Sequence, residues 1–123
     1  MPKATADITT IVRHELKTCP EGFVELRRLT YGQLLERRLA AMVIEMEAQK
    51  GGKEAAGTIS MAQLAVAVLD FTKCIVNHNL EDENGKLLNL SLATDVRRLD
   101  PRIGDEIGTL IDTANQFLED TEN

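Results

Sequence analysis

Apolar residues recur at helical spacing in three stretches, and the densest of these runs from Ser60 to Val76. Wound at 3.6 residues per turn, Gln63, Asp70, Lys73 and Asn77 gather into one narrow polar stripe. Met61, Leu64, Ala65, Val68, Leu69, Phe71, Ile75 and Val76 cover most of the remaining circumference. Ser60 and Gln63 form a capping box, with Ile59 and Leu64 as its hydrophobic staple. A helix apolar over so much of its surface needs cover on several sides, from its own domain or from a partner. The pattern predicts a core helix reaching about Asn77. The stretch is too short, and too charged at Asp70 and Lys73, to be a membrane span.

The second stretch predicts a helix opening at Thr30, where Thr30 and Gln33 repeat the capping box and Leu29 and Leu34 the staple. It continues through Tyr31, Leu34, Leu35, Leu39, Met42, Val43 and Met46 to about Lys50, where Gly51-Gly52 stops it. Glu36, Arg37, Glu45 and Glu47 fall on its other face. Residues 51–58 read as a mobile, Gly-rich polar linker, long enough for two antiparallel helices. The third stretch starts at Asp100-Pro101, a cap followed by a first-turn proline. Ile103, Ile107, Leu110, Ile111, Ala114, Phe117 and Leu118 make one apolar stripe, with Asp105, Glu106, Asp112 and Glu119 opposite. This helix is predicted to pack on the one from Ser60.

Between and before these helices the period changes. Residues 7–17 combine β-branched content with an apolar set, Ile8, Ile11, Val12 and Leu16, that also fits a helical face. Pro20-Glu-Gly22 is a turn signal, and Phe23–Leu29 reads as a strand, so a short hairpin is expected across the turn. Asn84-Gly85 tolerates positive φ at both residues and predicts a β-hairpin or tight polar turn. Ser91 is placed to cap a short helical segment through Leu99. The expectation is one mainly α, α+β domain over residues 1–123, frayed at 1–6 and 120–123. It holds three main helices, an N-terminal short β element and the turn at Asn84-Gly85.

Composition narrows the class further. Aromatic residues are 3% of the chain and Trp is absent, so the core must be aliphatic, which favours helix packing over a sandwich or barrel. Residues 1–60 hold nine Lys/Arg and eight Asp/Glu, a net +1; residues 61–123 hold five and twelve, a net −7. No basic footprint of the kind phosphate neutralisation requires is present, so nucleic-acid binding is not expected. The acidic second half suits solubility or a basic partner. Two cysteines, Cys19 and Cys74, make no disulfide framework, and no N-terminal apolar segment marks secretion, so the reducing cytoplasm is the expected compartment.

Candidate chemistry fades on inspection. Aligning Gly85 to the sixth position of a calcium loop puts Leu80 at the first and Ser91 at the twelfth, where oxygen ligands are required. His14, Cys19, Cys74 and His78 supply a Cys2His2 inventory without a C-x2-C knuckle, so a zinc enzyme is the weaker reading. Lys50-Gly-Gly-Lys53 lacks the leading Gly and trailing Ser/Thr of a phosphate loop. Gly104-x3-Gly108 signals close helix packing or tolerance on an exposed face. Two histidines and no nucleophile elbow argue against a hydrolase. Arg27-Arg28 and Arg37-Arg38 are either paired with Glu25, Glu36 or the acidic half, or form a docking patch. Met42, Met46 and Met61 fill core or offer an adaptable apolar surface. No cofactor, metal or catalytic residue is expected.

LKTCPEGFVELRRLTYGQLLERR (Leu16 to Arg38), a long helix, then NHNLEDENGKLLNLSLATDVRRLDPRIGDEIGTLIDTANQ (Asn77 to Gln116) resembles the tail assembly chaperones of long-tailed, siphovirus-like bacteriophages. The shared features are a strand with a Leu-Arg-Arg element entering a helix at Tyr-Gly, an acidic Asn-Gly turn, and a Leu-Asp-Pro start to a terminal helix. Asn77-His78 departs from the aromatic expected before the acidic turn. The resemblance implies a non-enzymatic cytoplasmic helper in the bacterial host that binds the tape-measure protein and yields it as tail-tube protein polymerises. A structural tail or head–tail joining component is the alternative. The client is expected at the first long helix and its entrance, on Arg27, Arg28, Tyr31, Leu35, Arg38, Met42 and Met46, and a homo-oligomer is plausible from the breadth of apolar surface.

Overall fold

The computed structural model describes residues 2–7 and 9–115, and the backbone alone for 53–56 and 58–60. Ile8, the apolar pair Phe117 and Leu118, and the tail expected to fray at 120–123 lie outside the described residues. The N-terminal hairpin is present: β1 (Val12–Glu15) and β2 (Phe23–Leu26) pair antiparallel, Val12 opposite Leu26 and Glu15 opposite Phe23. Alternation along β2 sends Val24 and Leu26 into the core. The turn closes through Leu16 N–H to Gly22 O at 2.9 Å, with Glu21 at φ 67°. A Cβ on Gly22 would sit 2.9 Å from Cys19 Sγ and 3.0 Å from Cys19 O, so the turn needs glycine there.

Helix α1 (Tyr31–Lys50) starts as its sequence requires, with Gln33 N–H donating to Thr30 Oγ1 and Thr30 N–H to Gln33 Oε1. It stops at Gly51, which sits at φ 70°. Helix α2 (Gly52–Cys74) then begins at once. The linker expected over 51–58 is therefore a correction: from Gly52 the backbone is helical, and Ser60 lies inside the helix rather than at its cap. Lys53-Glu-Ala-Ala are good helix formers, and two glycines at positive φ suffice for the reversal.

The far end of α2 is also corrected. The helix ends at Cys74 and not near Asn77, because Ile75–His78 is a strand, β3, on the second edge of β2. Its β-branched Ile75 and Val76 suit either state, and pairing with the open edge of β2 decides. The sheet order is β1-β2-β3, with a register shift between Glu25 and Leu26 that leaves Val76 as the extra residue.

After β3, Asp82 Oδ1 accepts from Asn84 N–H and Lys86 N–H, Gly85 takes φ 78°, and Glu81 bridges Leu87. This is the tight turn expected at Asn84-Gly85. The short helix α3 (Ala93–Arg97) is not capped by Ser91; Leu92 stands at its N-cap without a side-chain bond, and the Asp95 carboxylate instead receives Asn89 N–H. Helix α4 (Pro101–Asn115) opens as expected, with Asp100 Oδ1 accepting from Arg102 N–H and Asp100 O from Gly104 N–H.

The core sits where the sheet meets α4. Val24, Leu26, Cys74, Ile107 and Ile111 are its fully enclosed members, ringed by Leu16, Leu29, Phe71, Leu80, Leu88 and Leu90. Each enclosed aliphatic contributes about 2 kcal/mol. Of α2 only the last turns enter this core; among the described residues none before Asp70 is buried, and α1 has no buried residue at all. The stretch from Ser60 is thus not the centre of the fold. It forms, with α1, a helical hairpin standing out from a sheet–α4 body, and α4 packs chiefly on β2 and the lower end of α2. Among the described residues no helix is long and apolar enough to cross a membrane.

Candidate functional site

The hairpin is held to the body by an ion cluster. Arg37 Nε donates to Asp70 Oδ1 at 3.0 Å and Oδ2 at 3.1 Å, and its Nη2 reaches Asp112 Oδ1 at 3.4 Å. One side chain thereby ties α1 to α2 and α4. Asp70, placed by helical periodicity on a polar stripe, is only 7% exposed. Burial pushes its carboxyl above the ordinary aspartate value, while Arg37 pulls it back down. The two neighbouring arginines, Arg27 and Arg28, are equally committed. Arg27 Nε donates to Lys73 O at 2.8 Å near the end of α2, and Arg28 Nε to Ala114 O at 3.0 Å in the last turn described of α4. Arg27 thereby places positive charge at the C-terminal end of α2, where carbonyls lack intrahelical donors.

That cluster draws Arg37 inward and leaves much of the apolar surface of α1 outward. Gln33, Leu34, Arg37, Ala40, Ile44 and Glu47 are the half-buried positions of α1, at helical spacing. The residues expected to meet a partner, Tyr31, Leu35, Arg38, Met42 and Met46, lie together on the exposed side, and Leu39, 65% exposed, joins them. Arg27 and Arg28 do not belong to that face. The sequence reading missed Leu39 as a surface residue because an apolar stripe on a helix ordinarily marks the buried side.

A second apolar surface runs along α2. Met61, Leu64, Ala65, Val68, Leu69 and Thr72 form an open groove of about 460 Å³, also lined by Ala93 of α3 and by Lys73, its one charged lining residue. Met61 is 75% exposed. By periodicity alone these residues belong to a core helix. The informative signal was the width of the apolar arc: the body of this small domain cannot cover all of it.

Other candidates do not assemble. His14 and His78 flank Val24 on opposite sides of one sheet row, Cys19 sits in the β1–β2 turn, and Cys74 is enclosed beside Asn115. Burial and the nearby Asp70 push the Cys74 thiol up to about 11, a poor nucleophile and ligand. His78 Nδ1 accepts from Leu80 N–H, and burial lowers its pKa. Among the described residues no three His, Cys, Asp or Glu side chains converge as a metal site. The acidic turn is neutralised locally: Arg98 lies within 3.6 Å of Asp82, 3.2 Å of Glu83 and 3.6 Å of Asp95. Gly108 has open space where a Cβ would stand, and Gly104 meets only Leu99 at 4.0 Å. The Gly-x3-Gly pair therefore reflects tolerance on an open face and not close helix packing. No known protein family, curated protein or solved structure matches this chain.

Proposed function

We propose that this chain is a tail assembly chaperone of a long-tailed bacteriophage, acting in the bacterial cytoplasm. It binds the helical tape-measure protein and holds it soluble until tail-tube protein polymerises. The observation that carries the reading is the groove on α2. Met61, Leu64, Ala65 and Val68 fall at i, i+3, i+4 and i+7, the spacing with which one helix receives the apolar face of another. A long helical client with an unpaired apolar stripe fits such a surface, and its own aggregation is what cover over that stripe prevents.

The activity is binding alone. Release follows from competition by the growing tube, which removes the client as tube contacts replace groove contacts, without any hydrolysed cofactor. The test is co-expression with the neighbouring long helical reading frame of the same phage, followed by affinity capture of this chain. The wild-type chain retains the large helical protein, and Val68→Glu, which puts a charge in the middle of the groove, loses it. Failure of the wild type to retain it, together with this chain's presence in purified virions, overturns the chaperone reading in favour of a structural tail component.

A further inference from the structure

We infer that two copies of this chain join through the outer edge of β1, antiparallel, about a two-fold axis at His14, so that their two sheets run on as one. The inference is independent of what fills the groove on α2. In the β1–β2 ladder, Leu16 N–H donates to Gly22 O at 2.9 Å. Alternation from there turns the N–H and C=O of Val12 and His14 towards β2, and those of Arg13 and Glu15 away from it. The far side of β2 keeps the complementary phase, with Phe23 N–H donating to Asn79 Oδ1 and Arg27 N–H to Cys74 O. No strand lies outside β1, and among the described residues nothing bonds the outward N–H and C=O groups of Arg13 and Glu15. The sheet's other edge is attended: residues 87–91 share a cleft with Ile75, Val76 and His78 of β3. A bare edge of this kind is a template for another strand.

Bonding phase and charge together identify that strand. A sheet that continues through a two-fold axis pairs its edge strands antiparallel, and outward residues bond only outward residues. An axis at His14 alone pairs both outward residues inside β1, setting Arg13 opposite Glu15 of the second copy, twice. An axis at Arg13 brings two arginines face to face. An axis at Glu15 brings two glutamates together and sets Arg13 opposite Lys17, whose N–H is already given to Glu106. With the axis at His14, the row across the seam reads Asn77, Glu25, Arg13, then Glu15 and Phe23 of the second copy, and no like charges adjoin. Arg13 and Glu15 meet each other at 3.0 Å in the single chain, with side chains 53% and 69% exposed. So exposed a contact is readily exchanged for the one across the seam. On the opposite face Val12, 50% exposed, comes beside Leu16 of the second copy. The seam is short, and a dissociation constant of about 10–100 μM is expected.

Sedimentation equilibrium of the full chain at pH 8, from about 5 to 500 μM, tests this, with circular dichroism confirming that each variant stays folded. The wild type is expected to pass from monomer to dimer across that range. R13E and E15R should each raise the dissociation constant roughly tenfold or more, since like charges then meet across the seam. An equimolar mixture of the two should associate again, because each copy then meets its complement. V68E, in the groove on α2, should dimerise as the wild type does. The axis is tested with His14→Cys in a Cys19→Ser background. Opposed residues at a non-hydrogen-bonded position stand about 4.5 Å apart at Cα, within disulfide reach, so mild oxidation should link this variant as a dimer. Lys86→Cys in the same background, on the exposed acidic turn, should link far more slowly. A wild type that stays monomeric, a dimer that the single charge reversals leave intact or V68E abolishes, or linkage no faster at position 14 than at 86 overturns the inference.

Discussion

Several side chains hold this fold by reaching backbone groups that secondary structure leaves unpaired. Glu106 of α4 is the plainest case. Its carboxylate receives Lys17 N–H at 2.8 Å, Thr18 N–H at 2.9 Å and the Thr18 hydroxyl at 2.6 Å, fastening the β1–β2 turn to the helix. Those bonds hold its pKa below the ordinary glutamate range. A depressed carboxylate contributes stability above its unfolded pKa and loses it as pH falls through the folded value. Glu106→Gln is therefore expected to be less stable than the wild type at pH 7, with the gap closing as urea unfolding is repeated towards pH 3. A gap that stays constant with pH contradicts this role. Asp70 works in the opposite sense: burial raises its pKa, so its contribution declines as pH rises through the folded value. Comparing variant with wild type at each pH cancels that second trend. Asn115 is a neutral counterpart of Glu106, its Oδ1 accepting Leu29 N–H at 2.8 Å and its Nδ2 donating to Ile111 O at 2.9 Å.

At the scale of elements, the Arg37–Asp70–Asp112 cluster decides which way the hairpin faces. Removing Arg37 leaves the buried Asp70 without its cation, so Arg37→Met is expected to cost about 3 kcal/mol in urea unfolding. Replacing Asp70 with Leu in the same chain should recover most of that loss, since an apolar pair carries no desolvation cost. A single variant within about 0.5 kcal/mol of wild type would show that the cluster holds nothing. How far the elements were legible follows from where their information lies. Thr30 with Gln33, Asp100 with Pro101, and Asn84 with Gly85 are local devices, and each does in the fold what its neighbours in sequence require. Strand β3 was not legible because Ile75 and Val76 continue a helix as readily as they start a strand, and the open edge of β2, fifty residues away, settles the matter. The start of α2 was misread for a related reason. Ser60 carries a good cap, but Lys53-Glu-Ala-Ala upstream are helix formers that start the helix earlier, and a cap residue inside a running helix caps nothing. The surfaces were the hardest to read. Periodicity finds an apolar stripe on α1 and another on α2, yet only the tertiary placement of Arg37 tells that both face away from the core.

As a whole, the molecule divides into a closed body and an open hairpin. The body, made of the sheet, α4 and the end of α2, holds the buried apolar core, and among the described residues no buried side-chain polar atom lacks a partner. The hairpin keeps its apolar side in contact with solvent, and a protein that acts by covering another chain's helices is expected to carry such a surface. Amide hydrogen exchange, measured on the chain alone and on the complex proposed with the tape-measure protein, tests that division most directly. Exchange across residues 61–72 of α2 is predicted to slow on complex formation while β2 and α4 stay unchanged. Slowing confined to the sheet and α4, with residues 61–72 exchanging as they do in the free chain, would contradict the account.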